Sequence, residues 1–342
     1  MTPSTHPCYE HFLGIDVSKD MIDCLLRPGE AYCQQANRPE GFRRLHRWLG
    51  NHHCSRQHTL ICIENTGIYS ERLLAGLTHR EWKCAVVKTT ATSKVAPEHH
   101  RKEDRFDAAL LAEYGQRYAD RIELTDPPET VIKQLQQLYA ERGRLIKARG
   151  GTQNRRQQSS HALVPSPLLA RQWTQQLKLY SQQIETLEAR MHQLITKHPG
   201  LHHYYKLLRS IPGVGPVTAW LWLMLFYGDD HLNYKQVASR FGFAPHRHVS
   251  GSSVRNRTRS AGHGHSQMRA CMTMVARSVS YHYERFARYK KRKLEEGKPW
   301  PVVRNNLINK LIKIICAIWN SGQPYRQDYE SRYDQQKKSL NT

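Results

Sequence analysis

Acidic residues are in short supply in this chain of 342 amino acids: 29 Asp and Glu stand against 52 Lys and Arg, a formal charge of +23 before any of the 20 His is counted. An excess that large disfavours a neutral metabolite as the main ligand and favours a polyanion, either nucleic acid or an acidic membrane surface. Long apolar runs are missing too. No stretch reaches the ~18 residues that span a bilayer, and Met1-Thr2-Pro3-Ser4-Thr5-His6 lacks the charged-then-apolar layout of a signal peptide. The expectation is a soluble, cytoplasmic protein with no membrane partner. Cys-x-x-Cys pairs are absent, since the eight cysteines are scattered at positions 8, 24, 33, 54, 62, 84, 271 and 316. That excludes a zinc ribbon and leaves free thiols that pack as small hydrophobes in a reducing compartment. A hydrophobic content of 39% is low but sufficient for a core, and the length suggests two or three domains.

The positive charge is unevenly placed. Residues 1–125 hold 17 basic and 16 acidic side chains, whereas residues 126–342 hold 35 and 13. A near-neutral part is thus joined to one built to meet phosphates. The junction falls at Thr125-Asp126-Pro127-Pro128-Glu129, where paired prolines stop one element and a helix-starting pattern follows.

The first part alternates between two periods. An apolar run ending in Gly14-Ile15-Asp16, then Met21-Ile22-Asp23-Cys24-Leu25-Leu26, then residues 31–35 read as three tightly joined strands. Phe42, Leu45, Trp48 and Leu49 mark a helix, Thr59 to Ile63 a buried strand, Leu73, Leu74 and Leu77 a second helix, and Trp82 to Val87 another strand. A closing helix runs from Arg105 to Tyr118. The order is βββ-α-β-α-β-α, an α/β domain over residues 1–125. Residues 129–150 read as a helix stopped by Gly150-Gly151. Beyond a polar segment, Trp173, Leu177, Tyr180, Ile184, Leu187, Met191 and Leu194 recur at spacings of 4 and 3, a coiled-coil seam of about three heptads. The seam fits an intramolecular antiparallel hairpin and a dimer contact equally well. Residues 126–200 form this helical connection, 201–325 a basic all-α domain, and 326–342 a polar tail.

Four acids stand where chemistry could use them. Asp16 and Glu64 end strands, and carboxylates at the ends of neighbouring strands share a crevice. Asp104 and Asp107 are three apart at a helix start and share a face. Such a set repels itself unless divalent cations neutralise it, and hard oxygen ligands suit Mg²⁺ or Mn²⁺. Two such ions stabilise the attacking and leaving oxygens in phosphodiester chemistry. Each acid taken singly also fits a turn, a cap or a helical first turn.

With Gly14-Ile15-Asp16-Val17-Ser18-Lys19, Glu64-Asn65-Thr66-Gly67 and Lys102-x-Asp104-x-x-Asp107-Ala108, the first part resembles the RuvC-like, RNase H-fold domain of the DEDD transposases. These are insertion-element recombinases related to Piv-type invertases and associated with bridge-RNA guidance. The resemblance extends into the C-terminal part and covers most of the chain. It implies DNA partners (donor and target), a guide RNA and a homo-oligomeric synapse, dimer or tetramer.

In the basic part, Leu207 to Ala219 reads as a helix, a turn carrying Gly213 and Gly215, and a second helix. This helix-hairpin-helix pattern suits backbone amides meeting a phosphate, and a plain helical corner is its structural alternative. Downstream lie His246-Arg247-His248-Val249-Ser250-Gly251-Ser252-Ser253, then Arg255, Arg257 and Arg259, whose guanidinium groups suit phosphate oxygens. The resemblance implies that Ser250, in its Ser-Gly context, is the nucleophile, with Ser252 and Ser253 as neighbouring candidates. The His-x-His pairs at 246/248 and 263/265 depart from the family pattern; phosphate contact or general acid duty suits His246 or His248. A long helix is expected from Arg269 to Glu296, carrying Lys290, Lys291 and Arg292 as backbone contacts, followed by a helix from Val302 to Trp319 ended by Gly322.

The expected function is therefore DNA transposition or recombination through a phosphoserine link, with Asp16, Glu64, Asp104 and Asp107 on the metal, in a site composed from two domains. A metal-dependent junction resolvase that uses water, and a non-catalytic nucleic-acid scaffold, are the rival readings.

Overall fold

A computed structural model describes residues 8–88, 92, 104–127, 129–244 and 264–327. At the short strands Pro245–His246, Val249–Ser250, Val254–Arg255 and Arg259–Ser260 it describes the backbone alone. The chain forms two compact units, Met1–Pro128 and Glu129–Thr342.

The first unit is built on a five-stranded mixed sheet. Strands β1 (His11–Val17), β2 (Met21–Arg27) and β3 (Ala31–Ala36) form an antiparallel meander. Strands β4 (Thr59–Glu64) and β5 (Lys83–Val87) add in parallel beside β1, giving the order β3-β2-β1-β4-β5. Parallel neighbours need crossovers, which α1 (Pro39–Asn51) and α2 (Ile68–Thr78) supply. Both pack on one face of the sheet, where Leu45, Leu49, Leu73 and Leu77 meet Leu13, Ile15, Ile61 and Ile63. The other face is covered by α3 (Asp104–Tyr118). The central strands are buried on both sides, so they read as continuous apolar runs in which period-2 alternation decides which helix layer each residue meets.

Two glycines set the height of α3 above the sheet. A Cβ at Gly14 would lie 1.9 Å from the carbonyl oxygen of Ala108 and 2.5 Å from the amide nitrogen of Ala112, and one at Gly115 would lie 2.8 Å from Cys62 Sγ. Gly14 of β1 thus lets the helix backbone rest on the strand backbone, while Gly115 leaves room on the helix for the Cys62 side chain of β4.

The second unit is all-α apart from the short strands. Helices α4 (Thr130–Ser159) and α5 (Pro167–Lys197) pair as an antiparallel hairpin, tied by Arg142 Nε to Glu188 at 2.6 Å and Arg149 to Ser181 at 3.5 Å. Of the two seam readings the intramolecular pairing is realised. Ile184, Met191 and Ile195 are buried in it, while Leu163, Val164 and Leu168 near the tip are exposed. Gly150-Gly151 does not stop the first helix, contrary to expectation. Two glycines cost about 1 kcal/mol each relative to Ala, which a packed partner helix and the fully buried Thr152 outweigh.

The base of the hairpin shares one core with α6 (Pro199–Arg209), α7 (Pro216–Phe226), α8 (Tyr234–Arg240), α9 (Ser266–His282), α10 (Glu284–Glu295) and α11 (Trp300–Ser321). Trp222 and Phe226 each meet Phe241 edge-on at its centre. The single helix expected over 269–296 is two. Tyr283 adopts an extended backbone, φ −124° and ψ 115°, which turns the chain so that Phe286 enters the core. Gly322, in the left-handed region at φ 64°, ends α11 as its spacing implied. Among the described residues no helix is long and apolar enough to cross a membrane.

Candidate active site

The carboxyl ends of β1 and β4 define one edge of the first unit. Ile15 pairs with Ile63 in the parallel register, so the next residues along, Asp16 and Glu64, lie side by side. Both leave the sheet on the α3 face, because Ile15 and Ile63 point into the opposite layer. A hydrogen bond joins their carboxyls, and Asp107 on the first turn of α3 adds its negative field. Burial first, then Glu64 and Asp107, push the Asp16 carboxyl up to about 7. The backbone amide of Val17 works in the opposite direction.

The antiparallel register extends this row of acids. Asp23 of β2 is paired directly with Asp16, which puts both side chains on one face. Only 3% exposed, Asp23 accepts hydrogen bonds from the Tyr32 hydroxyl and, at 3.0 Å, from Gln34 Nε2. Arg105 lies 5.3 Å from the Tyr32 ring centroid, and Tyr32 is pushed up to about 12 by burial, by Asp23 and by the field of Asp104. Asp107 therefore bears on Asp16, and Asp104, one turn earlier, on Tyr32. Asn37 ties the rim together, donating to the carbonyls of Ser18 at 2.9 Å and Tyr69 at 3.0 Å.

Asp23, Tyr32, Gln34 and Asn37 were not singled out by sequence reasoning. An Asp inside the apolar run Met21 to Leu26 was the available sign, because the alternation of Ile22, Cys24 and Leu26 already assigned it to the opposite face.

Among the described residues no three His, Cys, Asp or Glu side chains converge closely enough to hold an ion as they stand. The donor set nevertheless fits a hard divalent cation. Two touching carboxyls, a third acid beside them and a raised proton affinity are what a cluster of oxygen ligands shows when protons stand in for the cation.

The remaining candidates lie in the second unit. Gly213 has φ 75°, and a Cβ there would lie 2.7 Å from Val279 Cγ1, so its close approach is to the chain's own helix α9. Gly215 is the N-cap of α7 with open space around its Cα. Ser250 lies in the strand Val249–Ser250, which pairs with Val254–Arg255. Arg259 belongs to a strand paired with Pro245–His246. Arg247, His248, Gly251, Ser252, Ser253, Arg257 and His263 lie outside the described residues. Lys290 sits 3.6 Å from the Tyr281 ring centroid and 5.1 Å from that of Trp300, while Lys291 and Arg292 are exposed.

Comparison with known proteins finds matches in both parts of the chain. A transposase family model of the DEDD type matches residues 13–161, and a model of the transposase IS116/IS110/IS902 family matches residues 205–291. The chain is similar to the pilin gene-inverting protein of Moraxella bovis, at 27% identity over 322 residues, covering 92% of this chain and 97% of the relative. Its similarity to the pilin gene-inverting protein of Moraxella lacunata has the same identity and coverage.

Proposed function

Because the chain belongs to the IS116/IS110/IS902 family of transposases and is a DNA recombinase, we propose that it cuts and rejoins DNA through Ser250, with Asp16, Glu64, Asp104 and Asp107 holding Mg²⁺ or Mn²⁺. The observation that carries the metal reading is the hydrogen-bonded pair Asp16–Glu64 with Asp107 beside it. Bound there, a divalent cation would neutralise the acids and stabilise negative charge on the attacking and leaving oxygens of a phosphodiester.

The chain's own groups divide the remaining work. Strands β1 and β4 fix Asp16 and Glu64, and Gly14 sets the height at which α3 presents Asp107. The Ser250 hydroxyl gives up its proton to solvent water and attacks phosphorus. A P–O bond forms to serine as the bond to the leaving DNA oxygen breaks, and the phosphoserine link preserves the bond energy for rejoining. His246 or His248 suits proton donation to that oxygen, while Arg247, Arg255, Arg257 and Arg259 suit the phosphate. The basic excess of residues 126–342 supports a grip on donor and target DNA and on a guide RNA within a homo-oligomer.

Incubation with Mg²⁺ and DNA carrying the flanks of the element that encodes the chain, followed by denaturing electrophoresis, tests this reading. The expected result is a covalent protein–DNA adduct that vanishes in Ser250→Ala and survives Ser252→Ala. Hydrolysis undiminished in Ser250→Ala would favour a water-using resolvase, and full cleavage by Asp16→Ala would remove the metal site.

A further inference from the structure

The acids occupy the carboxyl end of the parallel strands, and the opposite end of the same sheet is cationic. There, where α1 meets the segments preceding β4 and β5, a cavity of about 630 Å³ is lined by Arg43, Arg47, Arg56 and Arg80 together with His46 and Trp82. None of its lining residues is acidic. Trp82 immediately precedes β5, and Val87 at the far end of that strand is the register partner of Glu64. Five residues at ~3.3 Å each separate the cavity from the acid row by about 17 Å, too far to serve the same phosphate.

Two ring nitrogens lie buried behind the cavity wall. Trp82 is 4% exposed, and among the described residues neither its indole N–H nor Nδ1 of the partly buried His46 has a hydrogen-bond partner. The two rings meet edge to face, 5.9 Å between centroids. An unpaired buried N–H costs free energy unless something supplies an acceptor, and Trp can only donate. The surrounding charge selects an anion. Burial holds His46 below its ordinary value, and the positive charges of Arg80 and Arg56 add to it. Glu40 pairs with Arg43 at 3.3 Å and Glu81 with Arg56 at 3.6 Å, both as exposed contacts that a stronger anion can displace at small cost.

We propose that this pocket binds a phosphodiester segment of nucleic acid, separately from the acid row, so that a strand not being cut is held on the near-neutral unit. Guanidinium forks suit phosphate oxygens, and the cavity is concave enough to take a backbone segment. The inference rests on the chain acting on nucleic acid and not on the Ser250 or metal assignments. RNA and DNA present the same backbone chemistry, and the experiment separates them.

The test uses the full chain, fluorescein-labelled 20-nucleotide single-stranded RNA, single-stranded DNA and duplex DNA, and equilibrium anisotropy between 50 and 200 mM salt. Arg47→Ala/Arg80→Ala should weaken binding of the strand that the pocket holds by about tenfold or more. It should also flatten the log affinity against log salt slope by about 1.4 for a single strand or about 1.8 for a duplex, the effect of two lost phosphate contacts. Trp82→Phe removes the N–H and shrinks the ring at the pocket wall without removing a charge, so it should weaken the same probe several-fold with the salt slope unchanged. Loss confined to RNA names RNA as the occupant, loss confined to a DNA probe names DNA, and loss in both means a generic backbone site. Unchanged affinity and slope on all three probes, in variants that melt like the parent chain by circular dichroism, overturns the proposal. Adduct formation at Ser250 is read separately, so the two readings fail independently.

Discussion

Asp16 and Glu64 end neighbouring parallel strands on the same face of the sheet, and a hydrogen bond joins their carboxyls. Two ionised carboxylates cannot share that bond, so one proton is retained well above the usual carboxylate range. The folded chain releases it near pH 7, whereas an unfolded chain releases it near 3.8. Between those values the folded state binds more protons, and the Asp16 contribution to stability falls as pH rises through the window. A divalent cation should replace the proton. Thermal melts of the metal-free chain should therefore lose stability from pH 4 to 7, and Mg²⁺ should raise the melting temperature more at pH 8 than at pH 5. An equal Mg²⁺ shift at both values would mean that the pair does not bind the ion.

The approach of α3 to β1 makes Gly14 a sensitive position. Gly14→Ala puts a methyl 1.9 Å from the Ala108 carbonyl oxygen, which is backbone and cannot rotate aside. The helix must lift, at a cost of about 1–3 kcal/mol, and Asp107 lifts with it. Urea denaturation should show the loss, and strand cleavage should fall further than the stability change alone explains.

Sequence patterning revealed the layered unit well and the site in part. In β1, Leu13, Ile15 and Val17 alternate with Phe12, Gly14 and Asp16, and that alternation carries the face of Asp16, although its place at the strand end was the sign that singled it out. The same logic applied to β2 would have found Asp23, but a lone Asp in an apolar strand carries no motif, and its Tyr32 and Gln34 donors depend on β2–β3 register. Spacing could put Asp104 and Asp107 on one helix face without showing that they bear on different partners. Helix ends were less legible where tertiary contacts overrode propensity: packing carries α4 through Gly150-Gly151, and Phe286 entering the core breaks the helix at Tyr283.

Asp23 depends on its donors. Tyr32→Phe keeps the ring beneath Arg105 but removes the hydroxyl from a carboxylate that is 3% exposed, which should cost about 1–3 kcal/mol in urea denaturation. With Asp23 less firmly held beside Asp16, the Mg²⁺ concentration for half-maximal cleavage should rise several-fold. An unchanged Mg²⁺ dependence would confine Asp23 to packing.

The basic stretch on α10 divides into residues with different roles. Lys290 lies between the Tyr281 and Trp300 rings, so Lys290→Ala should lower stability by about 0.5–2 kcal/mol through lost cation–π contact. Exposed Lys291 has no such contact among the described residues, and Lys291→Ala should leave stability within about 0.5 kcal/mol. If it meets a duplex phosphate, the salt slope of DNA binding should fall by about 0.9. Melts and salt titrations on the same pair of variants separate the two roles.

Gly213 and Gly215 can be told apart in the same way. Gly213→Ala combines a left-handed backbone, φ 75°, with a Cβ 2.7 Å from Val279 Cγ1, so it should destabilise by about 1–3 kcal/mol whether or not the turn meets DNA. Gly215 caps α7 in extended backbone with open space around it, and Gly215→Ala should cost at most about 1 kcal/mol. Its effect on binding is therefore the informative one. A phosphate drawn to the amides at the start of α7 would meet the new methyl, and affinity for duplex DNA should fall several-fold while the melt barely moves. Affinity that survives Gly215→Ala would make the turn a helical corner whose glycines serve packing against α9, and would transfer the work of gripping DNA to the arginines and lysines around it.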